Sequence, residues 1–205
     1  IGTEVIEEDR ATGARNIRFI PGPIFANIIL ADEINRTPPK TQAALLEAMQ
    51  EYHVTAAGRT YQLDRPFFVL ATQNPIEYEG TYPLPEAQLD RFSARLSLGY
   101  PPLAEEARML SEQTTDPPLE HLKAVARRDE VVSAIEAARA IYVDDSVGRY
   151  VVTLLRDTRE SARLALGASP RAGIALLRMA KAHAVARDRD YVRPEDVHAV
   201  AVPVL

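Results

Sequence analysis

The strongest constraint on this chain comes from two short apolar runs, each followed by residues able to bind or react. Ile28–Ala31 is continuous and rich in isoleucine, and Asp32 and Glu33 follow it directly. Such a run is typical of a parallel strand covered on both faces. The second run, residues 67–71, leads to Asn74. Adjacent parallel strands would bring both polar ends to one edge of a sheet, so we expect the functional site there.

The rest of the first half predicts two hairpins, two helices and one more strand. Alternating residues place a half-buried strand at 14–20, which ends at a Pro-Gly-Pro turn and pairs with residues 3–7. The further predicted elements are a helix from Thr37-Pro38 to about Glu51, a hairpin of residues 54–56 and 60–63 around Gly58, a short helix at 85–92 and a third strand at 94–100.

The second half changes character at Leu103, after which Ala-, Leu- and Arg-rich segments recur at helical spacing. Pro194 predicts the start of the last helix, because proline fits the first turn and Glu195 and Asp196 suit the positive end of the helix dipole. Pro203 is expected to end that helix. We therefore expect two domains, an α/β core at residues 1–102 and an all-α domain at residues 103–205.

Composition argues against several classes of protein. The 205 residues are 46% hydrophobic, enough for one large or two small cores, and the formal net charge of -5 argues against a free-standing nucleic-acid binder. The chain has no cysteine, which suits a cytoplasmic protein. No apolar stretch approaches the roughly 20 residues of a membrane helix. The four histidines are scattered, so we expect no histidine metal site.

The acid pair after the first run, a Walker B pattern, fits the hydrolysis of a nucleoside triphosphate. Asp32 can hold Mg²⁺ through its water shell, while Glu33 polarises an attacking water. The amide of Asn74 can donate to a γ-phosphate and accept from that water. Each signal has a plain alternative, which is a solvated strand end for the acids and an Asn-Pro turn for Asn74.

Two long blocks resemble the MoxR family of AAA+ ATPases almost word for word. The first, from Pro21 to Glu51, contains PGPIFAN, DEINR and LLEAMQE, and the second, from Leu70 to Phe92, contains LATQNP and GTYPLPEAQLDRF. The remaining sequence, including Ser-Pro-Arg-Ala at 169–172, is compatible with the same family. The resemblance implies the α/β fold of an AAA+ P-loop NTPase core with a parallel sheet, followed by an all-α lid domain.

The resemblance also implies roles for individual residues. Asp32 would coordinate Mg²⁺ through water, Glu33 would be the catalytic carboxylate and Asn74 would be sensor 1. Arg91 would be an arginine finger that reaches the γ-phosphate bound by a neighbouring subunit. Arg171 would be sensor 2, acting either in its own subunit or in the next.

Two arginines have alternative interpretations. Arg91 would otherwise form an ion pair with Asp90 or Glu86 in its own chain, and we favour the finger on its position in the motif. Arg95 is a second candidate for a trans-acting arginine, although a salt bridge is favoured there.

By the same resemblance, the expected activity is hydrolysis of ATP, with Mg²⁺, by a ring that is hexameric in the family and acts on a protein client. A von Willebrand factor A-domain protein is a frequent partner, and hairpins such as residues 54–63 face the ring pore or a client in related motors. Two other functions stay open. One is a regulatory or scaffold module that does not hydrolyse ATP. The other is a DNA-associated motor, although the negative net charge of the chain argues against it.

The phosphate-binding loop of this family, Gly-x-x-x-x-Gly-Lys-Ser/Thr, does not occur in the sequence. The lysines are Lys40, Lys123 and Lys181, and none follows a glycine. In relatives, the strand before that loop lies between the sensor 1 strand and the last strand. We therefore expect unpaired backbone groups between residues 67–71 and 94–100, and we expect residues 1–205 to be part of a longer protein and inactive alone.

Overall fold

The computed structural model describes residues 2–8, 15–56, 58–74, 80–112 and 121–205. The chain divides into two compact units, Ile1–Phe92 and Ser93–Leu205. The first unit combines strands and helices and the second is mainly helical, which confirms the predicted order of an α/β core followed by an all-α domain. The predicted domain boundary between residues 102 and 103 stays a prediction.

Within the described residues, the first unit contains six strands and two helices. They are β1 (Gly2–Glu8), β2 (Arg15–Pro21), β3 (Ile28–Ala31), α1 (Pro39–Glu51), β4 (His53–Ala56), β5 (Arg59–Gln62), β6 (Phe68–Ala71) and α2 (Glu86–Leu89). Each was predicted within about two residues of its observed bounds, except that α2 ends three residues earlier than expected.

β1 and β2 form the predicted antiparallel hairpin, with Ile6 opposite Ile17. The prediction that this strand is half-buried is wrong, because most of the hairpin is exposed and these two isoleucines are 69% and 67% accessible. The hairpin contacts the rest of the unit through Phe19. The ring of Phe19 stacks on Tyr61 of β5 with 4.3 Å between ring centroids and 18° between ring planes, so an aromatic pair joins the two hairpins.

β3 and β6 are parallel neighbours, and their side chains alternate between two different environments. Ile29 and Val69 point to a core that they share with Leu45 and Ala48 of α1. Ile28 is 66% exposed, and the other outward residues of the pair, Leu30, Phe68 and Leu70, are also exposed. The expectation that β3 is covered on both faces is therefore wrong for the described residues of the first unit, because none of its described elements packs on the outer face.

α1 and the β4–β5 hairpin supply the rest of this core. Val54 of β4 is fully buried beside the helix. The hairpin turns at Gly58, whose φ of +73° lies in the left-handed region that glycine adopts without strain. The hairpin predicted around Gly58 is confirmed.

The third strand predicted at residues 94–100 does not form. Strands need a neighbour for their backbone groups, and each described sheet contains only two strands, none of them from this segment. The amide of Arg95 instead donates to the carbonyl of Pro203 at 2.7 Å. Leu98 is 98% exposed, so the alternating apolar residues that suggested a strand have no described surface to cover.

The second unit is mainly helical; the last three of its described helices share one core, while the described side chains of the first are exposed. The described helices are α3 (Leu103–Glu112), α4 (Arg128–Ala140), α5 (Asp145–Glu160), α6 (Pro170–Val185) and α7 (Pro194–Val204). Val151, Leu155 and Leu176 lie at the centre of that core. The predicted stop at Pro203 is wrong by one residue, because α7 continues to Val204. Within the described ranges, every helix is too short or too polar to cross a membrane.

Candidate functional site

The carboxyl ends of β3 and β6 lie side by side, as the sequence predicts. The strands are in parallel register, with Ala31 opposite Ala71, and the amide of Thr72 donates to the carbonyl of Ala31 at 3.1 Å. The chain therefore leaves both strands at the same edge of the sheet, where Asp32 follows one strand and Thr72 follows the other.

The side chain of Thr72 joins the two acidic residues. Its hydroxyl donates to Oδ1 of Asp32 at 2.6 Å and accepts from the backbone amide of Glu33 at 2.8 Å. Its carbonyl accepts from the amide of Ile34 at 3.0 Å. Sequence reasoning missed this role. The available signal was register, because Thr72 is the first residue after β6 just as Asp32 is the first after β3.

Glu33 has an unusual backbone for a residue with a side chain. Its φ of 50° and ψ of 52° are left-handed, which is unfavourable by about 1 kcal/mol for a non-glycine residue. One carboxylate oxygen, Oε2, lies 3.1 Å from Nη1 of Arg36, and the two side chains are 40% and 53% exposed. An ion pair so open to solvent is weak. The carboxylate of Glu33 can therefore exchange Arg36 for another partner.

A buried amide fixes the turn that follows the acids. Gln42 of α1 is 2% exposed, and its Nε2 donates to the carbonyls of Ile34 at 3.0 Å and Tyr82 at 2.9 Å. The amide of Tyr82 in turn donates to the carbonyl of Asn35 at 2.6 Å. Sequence reasoning also missed Gln42, and its position three residues before Leu45, on the apolar face of the helix, was the signal for it.

The other two predicted catalytic residues of the first unit are Asn74 and Arg91. Asn74 is half-buried and lies two residues beyond Thr72, while Pro75, and with it the Asn-Pro turn of the alternative interpretation, lies outside the described residues. Arg91 follows α2. In the described part of the chain, its Nε is buried and has no hydrogen-bond partner, so no ion pair runs through that atom to Asp90 or Glu86. The roles of Asn74 and Arg91 stay predictions.

Arg171 belongs to the second unit and is the second residue of α6. The helix is capped by the hydroxyl of Ser169, which accepts from the amide of Ala172 at 3.1 Å. This cap fixes where the helix begins. The side chain of Arg171 is exposed, and its assignment as sensor 2 stays a prediction.

Asp32 presents a carboxylate oxygen of the kind that Mg²⁺ prefers. No group of three His, Cys, Asp or Glu side chains in the described residues is arranged to hold a metal. An exposed carboxylate without a cage of further protein ligands fits Mg²⁺ that keeps several waters and takes other ligands from phosphate. Asp32 is thus the residue that would hold such an ion, through water.

Comparison with known proteins accounts for both units. Residues 1–94 match the model of the ATPase family associated with various cellular activities (AAA), and residues 156–205 match the AAA lid domain. With the strand-end acids, these matches define an AAA-type ATPase module, an α/β core followed by a helical lid. The chain is 42% identical to Chaperone MoxR1 of Mycobacterium tuberculosis (strain ATCC 25618 / H37Rv), over all of this chain and 55% of that protein. It belongs to the MoxR family of AAA+ ATPases.

Two other relatives are similar over most of the chain. YeaC of Bacillus subtilis (strain 168), an uncharacterised protein, is 52% identical over 89% of this chain and 57% of its own length. The crystal structure of a proposed ATPase from Cytophaga hutchinsonii ATCC 33406 is 41% identical, with a TM-score of 0.84, over all of this chain and 64% of that one. The chain thus spans 55 to 62% of the length of the curated relatives it matches.

Proposed function

We propose that this chain supplies the hydrolytic acids and the lid of a MoxR-type ATPase that converts ATP and water to ADP and phosphate and remodels or activates a protein client. The observation that carries the proposal is the Thr72 hydroxyl, which joins Asp32 to the backbone of Glu33 at one sheet edge. A strand end without a catalytic task has no need to fix one carboxylate and the backbone of the next.

The acids have separate tasks in this proposal. Asp32, held through one oxygen by Thr72, directs its carboxylate toward Mg²⁺ and its water shell. When bound with ATP, Mg²⁺ offsets negative charge on the phosphates. Glu33 exchanges its exposed partner Arg36 for the attacking water and polarises it. Asn74, which leaves the same edge as Thr72, orients that water or the γ-phosphate through its amide.

Two arginines complete the proposed site. Arg91 acts as the arginine finger on the ATP of a neighbouring subunit, which requires a ring, hexameric by analogy with the AAA+ family. Its buried Nε without a partner in the described residues supports this role, because a buried donor left unpaired is unfavourable unless another group binds it in the assembly. Arg171, at the exposed start of α6, contacts nucleotide as sensor 2.

The partners follow from the family and not from any contact in the chain. We propose a protein client and a von Willebrand factor A-domain partner in the cytoplasm. The support is the name of one relative, a chaperone that is 42% identical, together with the formal charge of -5, which argues against nucleic acid as the partner.

The test is the ATPase activity of the complete gene product, because residues 1–205 contain no phosphate-binding loop. Glu33→Gln should lower turnover by at least about a hundredfold, the usual effect of losing a general base, while nucleotide still binds. Glu136→Gln is the matched control, since Glu136 is an exposed residue of α4 paired with Arg139 and its loss should leave turnover unchanged.

Each other outcome points to a different function. Turnover unchanged in Glu33→Gln would defeat the catalytic assignment. A wild-type protein that binds ATP without hydrolysing it would be a regulatory or scaffold module. Turnover stimulated by DNA, and lost as salt rises, would indicate a DNA-associated motor.

A further inference from the structure

We infer that Thr72 is a positioning residue for hydrolysis, whose hydroxyl orients the carboxylate of Asp32 and the backbone of Glu33 together. The inference rests on the proposed function and deepens it, because it assigns a role to a residue that contacts neither substrate nor metal. It follows from the direction of two hydrogen bonds, the fixed backbone of Thr72 and the conformation of Glu33.

The Thr72 hydroxyl can be arranged in one way only. A hydroxyl has one proton to donate and two lone pairs that accept. The amide of Glu33 is a donor, so it must bind a lone pair, at 2.8 Å. The single proton then points to Oδ1 of Asp32 at 2.6 Å, a distance typical of a hydroxyl that donates to a carboxylate. Both acids are thus ordered by one atom.

Thr72 is itself held on both sides. Its amide donates to the carbonyl of Ala31 at 3.1 Å, and its carbonyl accepts from the amide of Ile34 at 3.0 Å. Because threonine is β-branched, its χ1 angle has few options once the backbone is set. The pairing of β3 with β6 therefore fixes the position of the hydroxyl. The hydroxyl in turn fixes the carboxylate of Asp32 and the backbone amide of Glu33.

Glu33 depends on this bond because its backbone is left-handed, with φ 50° and ψ 52°. The amide that Thr72 accepts from belongs to this strained residue. Without the hydroxyl, one restraint on that conformation is lost, and the backbone can relax toward a more common region. The Glu33 side chain would then point in another direction, and its carboxylate would no longer lie where it can polarise the attacking water.

A purely structural role for Thr72 predicts something different. Thr72 is exposed, so its hydroxyl fills no cavity, and water can solvate the groups that lose it. Removing the hydroxyl should therefore change the melting temperature little while lowering kcat. A structural residue would lower both together.

The test uses Thr72→Val and Thr72→Ser in the complete gene product. Valine keeps the branched shape without the hydroxyl, and serine restores the hydroxyl without the methyl group. For Thr72→Val, we expect kcat at saturating ATP to fall about tenfold or more, and by a larger factor than the KM for ATP rises. Thr72→Ser should recover most of the lost kcat.

Thr153→Val is the matched control. The hydroxyl of Thr153 also makes one hydrogen bond, to the carbonyl of Arg149 at 3.0 Å on the exposed side of α5. This change removes the same group from a lid helix, with no acid involved, and should leave kcat at the wild-type value.

Three results would overturn the inference. They are a Thr72→Val protein with the kcat of Thr153→Val, a Thr72→Ser protein no better than Thr72→Val, and a Thr72→Val protein that melts early or does not fold. Glu33→Gln in the same series separates the two claims. If Glu33→Gln and Thr72→Val both hydrolyse ATP like the wild type, the proposed function fails. If only Thr72→Val does, the inference alone fails.

Discussion

Arg189 and Asp196 form an ion pair at the start of α7, where the side chain of Asp196 is 1% exposed. Nη1 of Arg189 donates to Oδ2 at 2.6 Å, and Nη2 donates to Oδ1. The backbone amide of Arg193 also donates to Oδ2, at 2.8 Å, and Nδ1 of His183 lies 2.7 Å from Oδ1. One buried carboxylate thereby joins α6, the connection after it and α7.

Replacing this carboxylate should loosen the lid. Asp196→Asn removes the buried negative charge that pairs with Arg189 and turns one of the two acceptor oxygens into an NH2 donor that faces other donors. We expect a loss of about 2 to 4 kcal/mol in the free energy of unfolding. Hydrogen exchange of the α6 and α7 amides measures it. Asp157→Asn, at an exposed position of α5, is the control, and equal protection in the two variants would contradict the prediction.

The stabilisation by Asp196 should also depend on pH. Hydrogen bonds, chiefly from Arg189, hold the pKa of the Asp196 carboxyl well below its ordinary value. A lowered pKa in the folded state stabilises the fold above the unfolded pKa of about 3.9 and ceases to do so as pH falls toward the folded value. The stability difference between wild type and Asp196→Asn should therefore shrink on acidification below about pH 5. A difference that stays constant there would show that the carboxylate charge is not its source.

The sequence could predict the part of the site that depends on consecutive residues. Ile28–Ala31 with Asp32 and Glu33 is a local pattern, in which an apolar strand ends in acids, and the structure confirms the strand and its parallel partner. The Thr72 bridge is not local. It joins residues 40 apart in the chain, and it depends on the register between two strands, which residue types alone do not determine.

In the segment 94–100, by contrast, the local sequence pattern predicted a strand that the structure does not contain. Its alternating Leu96, Leu98 and Tyr100 carry a strand signal that the structure does not use. A strand is defined by its neighbours, so a correct local pattern yields no strand where the described residues supply no partner. Ile28 and Leu30 on the outer face of β3 are exposed for a related reason, because no described element of the first unit packs on that face.

Substitution of Gln42 should lower the free energy of unfolding as much as substitution of a core residue, although Gln42 is polar. Gln42→Leu keeps a side chain of similar size but removes the Nε2 donor from the carbonyls of Tyr82 and Ile34, of which Ile34 keeps only the amide of Thr37 at 3.1 Å. We expect a loss of about 1 to 3 kcal/mol in the free energy of unfolding, measured by hydrogen exchange of the α1 amides. Gln50→Leu, at a half-buried position in the last turn of the same helix, should change protection little. If the two variants behave alike, the Gln42 bonds contribute nothing.

The aromatic stack should couple the two hairpins of the first unit. Phe19→Ala and Tyr61→Ala each remove one ring of a pair whose centroids are 4.3 Å apart. A double-mutant cycle should give a coupling energy of about 1 kcal/mol, read from hydrogen exchange of the β1 and β2 amides. Pairing Phe19→Ala with Tyr150→Ala in α5 should give additive effects. Additivity for Phe19 and Tyr61 as well would mean that this stack does not couple the hairpins.

If Arg91 serves the neighbouring subunit, two inactive variants should restore activity to each other. Glu33→Gln supplies an intact arginine and Arg91→Ala an intact glutamate, so a ring containing both has some interfaces with both groups. With equal amounts and random mixing, we expect about a quarter of the wild-type ATPase rate, since each heterologous interface takes one residue from each side. The control mixes Arg91→Ala with the double variant Glu33→Gln/Arg91→Ala. Every interface in that mixture lacks the arginine, so no activity should return. Co-expressed single variants that stay as inactive as each alone would show that Arg91 does not act across the interface.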